Sequence, residues 1–248
     1  MYYFEKSNNK MTSLYVVYNA GSMYENENQH GTMHLMEHLM CRRFDHLQDK
    51  YTNLNIYFNA YTTAQQVIIH INGINNALTK EIKKEFIDIL CNNQFVSADI
   101  FNKEKSIVMQ EYYNYFNDIS YGNSINYIRK KYNNYSAIGK AQDIINFTYS
   151  DALEIFAKFF SKPTDIVEIA KEMTDFSDVE YNNIPLSDAV ITFNDYDVEI
   201  EVVPESDINS QIIIGCKNCI SKEDYPLFAI LIDILSSGLN SILYHELI

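Results

Sequence analysis

The chain has 248 residues, 47% hydrophobic and 21% charged, which is typical of a soluble globular protein with one large domain, or with one domain and part of a second. Its net charge of −14 argues against a nucleic-acid partner, because phosphate binding needs clustered cations. No apolar run is long enough to span a membrane, so we expect no membrane partner. Four scattered cysteines are too few for a disulfide scaffold, which favours a cytoplasmic or other reducing intracellular location.

The first half of the sequence alternates strand and helix patterns. Residues 14–19 (LYVVYN) are rich in β-branched and aromatic side chains, which predicts a strand. Apolar residues at helical spacing predict a largely buried helix over about 31–47. In chain order we then predict strands at 56–60 and 67–71 and helices at 76–92 and 97–117, the last with Ser97 as its cap.

The second half predicts the end of one domain and the start of another. A helix at about 150–160 must stop before Pro163, and residues 165–170 suggest a strand. The polar, unpatterned stretch 174–188 is a candidate linker, which predicts domains at 1–188 and 189–248. Beyond it we predict strands at 198–203 and 211–215 and an apolar helix (PLFAILIDIL). Strand, loop and apolar helix thus occur near both ends, and the mixed elements predict the α+β class.

The predicted helix at 31–47 carries the pattern H-x-x-E-H. His34 and His38 are four positions apart, so both imidazoles lie on one helical face and can reach one Zn²⁺. Glu37 lies beside the same face, where its carboxylate can accept a proton from a water that zinc activates. A catalytic zinc site has three protein ligands and one open position, so a third ligand must come from elsewhere.

Other interpretations of the motif and of nearby potential ligands stay open. Two histidines and a glutamate can occur together by chance on a surface, but the apolar residues between them indicate a buried helix. His30 is a rival ligand, because it lies four positions before His34. Cys216 and Cys219 form a single C-x-x-C pair, which is more typical of free thiols at a strand end than of a metal or redox site.

The motif and its surroundings resemble the pitrilysin family of zinc peptidases (peptidase family M16), which includes insulysin and the mitochondrial processing peptidase. The segments that fit follow the order of the family pattern: 20–25 (AGSMYE), 31–38 (GTMHLMEH), 58–62 (FNAYT), 104–111 (EKSIVMQE), 138–139 (IG) and 235–247. The pairing of H-x-x-E-H with a later E-x6-E is the most specific part of the resemblance.

The resemblance implies a role for several further residues. Glu111 would be the third ligand of a single zinc ion per chain, and Glu104 would orient a ligand from the second shell. Asn59 and Ala60 would lie on an edge strand that binds extended substrate through its backbone. The implied fold is a metallohydrolase-like α+β domain of the LuxS and M16 peptidase type. It has a mixed, mainly antiparallel sheet packed by helices, followed by the truncated start of a second similar domain.

The function implied is zinc-dependent endopeptidase activity on peptides or proteins, with Glu37 as the general base. The alternative is a non-catalytic or partner-dependent subunit of the same family, because family members build their chamber from two halves of two such domains each. Only the first domain and the opening of the second are represented here. We therefore also expect the chain to form a homo-oligomer or to bind a complementary subunit of the same family.

Overall fold

The computed structural model of the chain describes residues 1–117 and 136–186, together with residues 226, 227, 230, 231 and 234 of a helix. The two long ranges belong to one compact unit, and the five helical residues belong to a second. The elements of the first unit are β1 (Tyr2–Lys6), β2 (Met11–Tyr18), α1 (Thr32–Arg42), α2 (Asp45–Lys50), β3 (Tyr57–Thr62), β4 (Val67–Ile74), α3 (Lys80–Cys91), α4 (Ala98–Asn117), α5 (Ala141–Asn146), α6 (Tyr149–Ile155) and β5 (Asp165–Ala170).

The strands form one sheet in the order β1-β5-β2-β4-β3. The β1–β5 pair is parallel, and the other three pairs are antiparallel. The prediction of a mixed, mainly antiparallel sheet is therefore confirmed. Within the described residues β3 pairs only with β4, which places β3 at an edge of the sheet.

The core lies between one face of the sheet and the helices. Alternate residues of the two central strands are fully buried, as the period of two in a strand requires; they are Leu14, Val16 and Tyr18 of β2 and Val67, Ile69 and Ile71 of β4. The apolar side of α1 completes this core with Met33, Leu35, Met36, Leu39 and Met40. Helix α1 contacts β3, β4, α4 and α5, so its position fixes the side chains on its remaining face.

Two predicted helices differ from the structure at their ends. The helix predicted over 31–47 ends at Arg42, and α2 starts again at Asp45. The break lets Phe44 become buried, with its ring against Phe58 and Phe86. The helix predicted from residue 76 begins only at Lys80, because the Thr79 side chain accepts a hydrogen bond from the Ile82 N–H and caps it.

Strand β1 was not predicted, although its side chains alternate between partly buried and exposed. Its position depends on contacts distant in the sequence. The Tyr2 hydroxyl donates a hydrogen bond to Glu168 of β5, a carboxylate that also pairs with the buried Lys83 of α3. Burial alone would raise the pKa of Glu168, but the hydrogen bonds from Lys83, Tyr2 and Thr174 outweigh it and lower that pKa.

Several predictions concern residues outside the described ranges, and they stay predictions. They are the strands at 198–203 and 211–215, the Cys216/Cys219 pair, the segment 235–247 and the domain boundary after residue 188. The described residues between 226 and 234 are helical, as predicted. Among the described residues, no helix has the length and apolar character needed to cross a membrane.

Candidate metal centre and cleft

The start of α1 is built by Gly31 and Glu25. Gly31 has φ +92°, a left-handed conformation that favours glycine, and it precedes the first helical residue. The Glu25 carboxylate accepts hydrogen bonds from the backbone N–H groups of Gly31 at 3.1 Å and Met33 at 2.8 Å. These bonds satisfy N–H groups that the first turn of a helix leaves without partners. The AGSMYE segment therefore fixes where α1, and with it the metal motif, begins.

His34 and His38 lie one turn apart on α1, as the sequence predicted. Their ring centroids are 4.9 Å apart, and their side chains are only 17% and 18% exposed. Burial, followed by the proximity of His38, lowers the pKa of His34 to about 4. His34 is therefore neutral near pH 7, which is the protonation state that a metal ligand requires.

Glu111 of α4 faces both histidines across the helix pair. Its Oε2 lies 3.6 Å from His34 Nε2 and 3.4 Å from His38 Nε2, and the three ligand atoms are all within 4.8 Å of one another. Ligand atoms about 2.1 Å from a tetrahedral Zn²⁺ are separated by about 3.4 Å, so this spacing fits such an ion. No other group of three potential ligands occurs among residues 1–117, 136–186 and the five helical residues.

Glu104 lies two turns before Glu111 on α4 and faces the other side of the His38 ring. Its Oε2 is 3.4 Å from His38 Nδ1, and its side chain is 1% exposed. A hydrogen bond to Nδ1 leaves Nε2 of the neutral imidazole without a proton and directed at the ligand group. This position is compatible with the orienting role expected for Glu104, and the role itself stays a prediction.

Glu37 lies on α1 between the two histidines and is largely buried. Its Oε2 accepts a hydrogen bond of 2.6 Å from the Thr62 hydroxyl on β3. Burial raises the pKa of Glu37, and the hydrogen bond from Thr62 and the proximity of His38 offset part of that rise. The carboxylate is thus held beside the candidate ligands by a contact with the edge strand.

A cavity of about 340 Å³ opens at this site. Two site residues, His34 and Glu37, line it. Three residues of the edge strand also line it, and they are Ala60, Tyr61 and Thr62. The remaining lining residues are Tyr115, Ser136, Ala137 and Ile138. Ala60 therefore lines the cavity, and its contact with substrate stays a prediction. Asn59 is exposed and does not line the cavity, so its predicted contact with substrate would have to use its backbone.

One wall of the cavity rests on the start of α1. Gly139 has φ +69°, and a Cβ at this position would lie 2.3 Å from the Gly31 Cα. The Lys140 N–H also donates to the His30 carbonyl at 3.1 Å. The IG turn at 138–139 is therefore pressed against the first residue before α1, and Ile138 faces the cavity from there.

His30, the rival ligand, is engaged elsewhere. Its Nδ1 lies 2.7 Å from Asp143 Oδ2, and its backbone N–H donates to the same oxygen at 3.0 Å. It is not part of the ligand group. The interpretation of His30 as a zinc ligand is therefore wrong, because it belongs to the turn before α1 and pairs with α5.

Thr62 is a functional candidate to which the sequence assigned no role. The signal was present, because Thr62 is two residues after Ala60 and so lies on the same strand face. For the peptidase activity that the family resemblance implies, we expect Thr62→Val to lower kcat by about 10- to 100-fold, since a hydrogen bond to a charged group contributes about 1.5–3 kcal/mol. KM should change little. Steady-state kinetics would test this, with the exposed Thr52→Val as the matched control.

The fold and this site together define an α+β domain of the M16 peptidase type, and solved structures show the same fold. A protease from Helicobacter pylori superimposes with a TM-score of 0.60 at 15% identity, covering 76% of this chain and 50% of that one. An inactive peptidase M16 domain from Pseudomonas fluorescens gives a TM-score of 0.54 at 13% identity, over 69% of this chain and 44% of that one.

Sequence comparison shows a similarity in the first half of the chain. The family model for insulinase (peptidase family M16) matches residues 2–120. The human mitochondrial-processing peptidase subunit beta is 29% identical over 98 residues, which are 37% of this chain and 19% of that protein. Residues 2–120, slightly less than half of the chain, are therefore similar in sequence to peptidase family M16. It covers only about a fifth of the mitochondrial relatives and half of the Helicobacter protein.

Proposed function

We propose that the chain is a zinc-dependent endopeptidase that hydrolyses peptides or proteins. The observation that carries the proposal is the grouping of three ligand atoms, from His34, His38 and Glu111, beside a cavity into which Glu37 also faces. Two imidazoles and one carboxylate form the donor set of known catalytic zinc sites, and the fourth position of such a site takes water or substrate. One zinc ion per chain is expected.

Zinc, when bound, would supply Lewis-acid chemistry and lower the pKa of water from near 16 to about 7. The residues of the chain would supply the rest of the mechanism. Glu37 would accept the proton of the water that attacks the peptide carbonyl and pass it to the departing amine. Thr62 would hold the Glu37 carboxylate in place for both transfers, since its hydroxyl donates to Oε2.

The edge strand β3 is the proposed binding site for the substrate. Within the described residues β3 has a partner strand on one side only, and Ala60, Tyr61 and Thr62 border the cavity. An extended peptide can add to such an edge by backbone hydrogen bonds, which select length and conformation more than side chains. Substrate selection by peptide conformation is therefore part of the proposal, and Asn59 would take part through its backbone.

Removal and return of the metal tests the proposal directly. The purified full chain would be treated with a chelator, dialysed and incubated with a mixture of peptides, with and without added Zn²⁺, and the products would be identified by mass spectrometry. We expect internal cleavage with zinc and none without it. Zinc-bound protein that leaves every peptide intact would contradict the proposal.

That contrary result would favour the second candidate, a non-catalytic subunit of an M16 assembly. One solved structure of this fold is described as an inactive M16 domain, so the fold alone does not guarantee activity. The complete set of His34, Glu37, His38 and Glu111 in this chain favours the enzyme. Association with a second copy or with a complementary M16-like subunit stays a prediction.

A further inference from the structure

Arg42 contacts the same carboxylate as His38. It follows His38 by four residues on α1, so the two side chains lie on one face of the helix, one turn apart. Its Nε donates to Glu104 Oε1 at 2.7 Å, and its Nη2 donates to Glu104 Oε2 at 3.4 Å. His38 Nδ1 is 3.4 Å from that same Oε2. One carboxylate of α4 therefore joins the guanidinium to a candidate zinc ligand.

The Arg42 guanidinium also forms a hydrogen bond on the side away from Glu104. Arg42 Nη1 donates to Asp45 Oδ2 at 2.8 Å, and Asp45 is the first residue of α2. Asp45 follows Arg42 by three residues, across the break between α1 and α2. The result is a continuous series of polar contacts that runs from Asp45 through Arg42 and Glu104 to His38.

Glu104 needs a cation because it is buried. Its side chain is 1% exposed, and an ionised carboxylate in such surroundings is unfavourable unless it is paired and hydrogen-bonded. Within the described part of the chain, Arg42 is the only lysine or arginine that pairs with it. The planar guanidinium contacts both oxygens and so fixes the rotation of the carboxylate as well as its location.

We propose that Arg42 is a positioning residue of the metal centre, which holds Glu104 so that Oε2 stays directed at His38 Nδ1. The inference rests on the zinc site of the proposed function, because it takes His38 Nε2 as a zinc ligand. Groups that orient a metal-bound histidine change metal affinity by about 10- to 100-fold when they are removed. Arg42 acts through Glu104 and is not one of the residues that line the cavity.

A purely structural role for Arg42 makes a different prediction. If the Arg42–Glu104 pair only joined α1 to α4, its loss would lower the melting temperature and leave the zinc affinity of the folded molecules unchanged. Zinc affinity per folded molecule therefore separates the two roles. It also requires no catalysis, so the inference can be tested apart from peptidase activity.

The experiment compares the full-length wild type with Arg42→Gln, Arg42→Lys, Asp45→Asn and Lys103→Gln. Zinc affinity is measured by competition with a chromophoric chelator, folded fraction by circular dichroism, and ligand geometry by the absorption spectrum of the Co²⁺ form. We expect Arg42→Gln to weaken zinc binding by about 10- to 100-fold and to alter the Co²⁺ spectrum. Arg42→Lys keeps the charge without the planar fork, so it should recover part of the affinity.

Asp45→Asn and Lys103→Gln are controls, with a small loss of zinc affinity expected for the first and none for the second. Asp45 and Arg42 form a pair with side chains 42% and 37% exposed, and such pairs contribute little, so Asp45→Asn should weaken zinc binding by less than about fivefold. Lys103 is an exposed cation next to Glu104 in the sequence, and Lys103→Gln should leave the affinity unchanged. A loss in Lys103→Gln equal to that in Arg42→Gln would indicate a general effect of charge and overturn the inference.

Folded Arg42→Gln with wild-type zinc affinity would also overturn it. If Arg42→Gln does not fold, Arg42→Lys decides: weaker binding in the folded protein supports the positioning role, and unchanged binding rejects it. A wild-type chain that binds zinc but cleaves no peptide would contradict the proposed function and would not affect the inference about Arg42. A wild-type chain that binds no zinc would contradict both the proposed function and the inference about Arg42.

Discussion

The Glu37→Gln variant is expected to lose peptide cleavage by a factor of about 10² to 10⁴ while it keeps its fold and its zinc affinity. The amide has nearly the same shape as the carboxylate and can still accept the hydrogen bond from Thr62. It cannot accept a proton from the attacking water, however. Cleavage of a peptide identified in the metal-removal experiment would be measured for both proteins at equal zinc occupancy, with kcat and KM determined separately.

The matched control is Glu27→Gln. Glu27 is an exposed carboxylate in the loop before α1, so the same chemical change is made outside the cavity. This variant should cleave at the wild-type rate. Full activity of zinc-loaded Glu37→Gln would show that another group accepts the proton, and the assignment of Glu37 as the general base would have to be abandoned.

His38→Ala is expected to weaken zinc binding by more than about 100-fold and to abolish cleavage at ordinary zinc concentrations. The change removes one of three ligand atoms, and direct ligands matter more than the supporting groups, whose loss weakens binding by about 10- to 100-fold. It also leaves Glu104 without its hydrogen-bond partner on the ring. Metal content after dialysis, measured by mass spectrometry, would give the result.

His30→Ala provides the control for His38→Ala, because it removes an imidazole four residues before His34. His30 is hydrogen-bonded to Asp143 and lies outside the ligand group, so its variant should retain one zinc per chain. Equal zinc loss in the two variants would mean that the site depends on the start of α1 as a whole. Retention of zinc by His38→Ala would remove His38 from the ligand set.

The parts of the site that local pattern could predict are those on α1. Spacing along one helix places His34, Glu37 and His38 together, and the apolar residues between them indicate burial, so the motif required no tertiary information. Glu111 is different, because it lies on another helix and reaches the histidines only through the packing of α4 against α1. The resemblance to the family supplied that residue, and local patterning could not have done so.

The residues that sequence reasoning missed depend on contacts across the fold. Strand β1 is fixed by pairing with β5, more than 160 residues later in the chain. The break in the helix after Arg42 follows from the burial of Phe44, which periodicity alone does not require. The role of Arg42 could not be predicted from the sequence, because only the packing of α4 brings the buried Glu104 within its reach.

The contact between Gly139 and Gly31 links the shape of the cleft to the position of α1, so the two cannot be changed separately at this contact. The width of the cleft at Ile138 and the starting point of the ligand helix are set by the same pair of backbone segments, with no space for even one methyl group between them. A change of cleft shape through this turn would therefore disturb metal geometry as well. Redesign of specificity would have to begin on the side of the cleft away from this turn, at Tyr61 of the edge strand, since its neighbour Thr62 holds Glu37 and Tyr115 lies on α4 with Glu111.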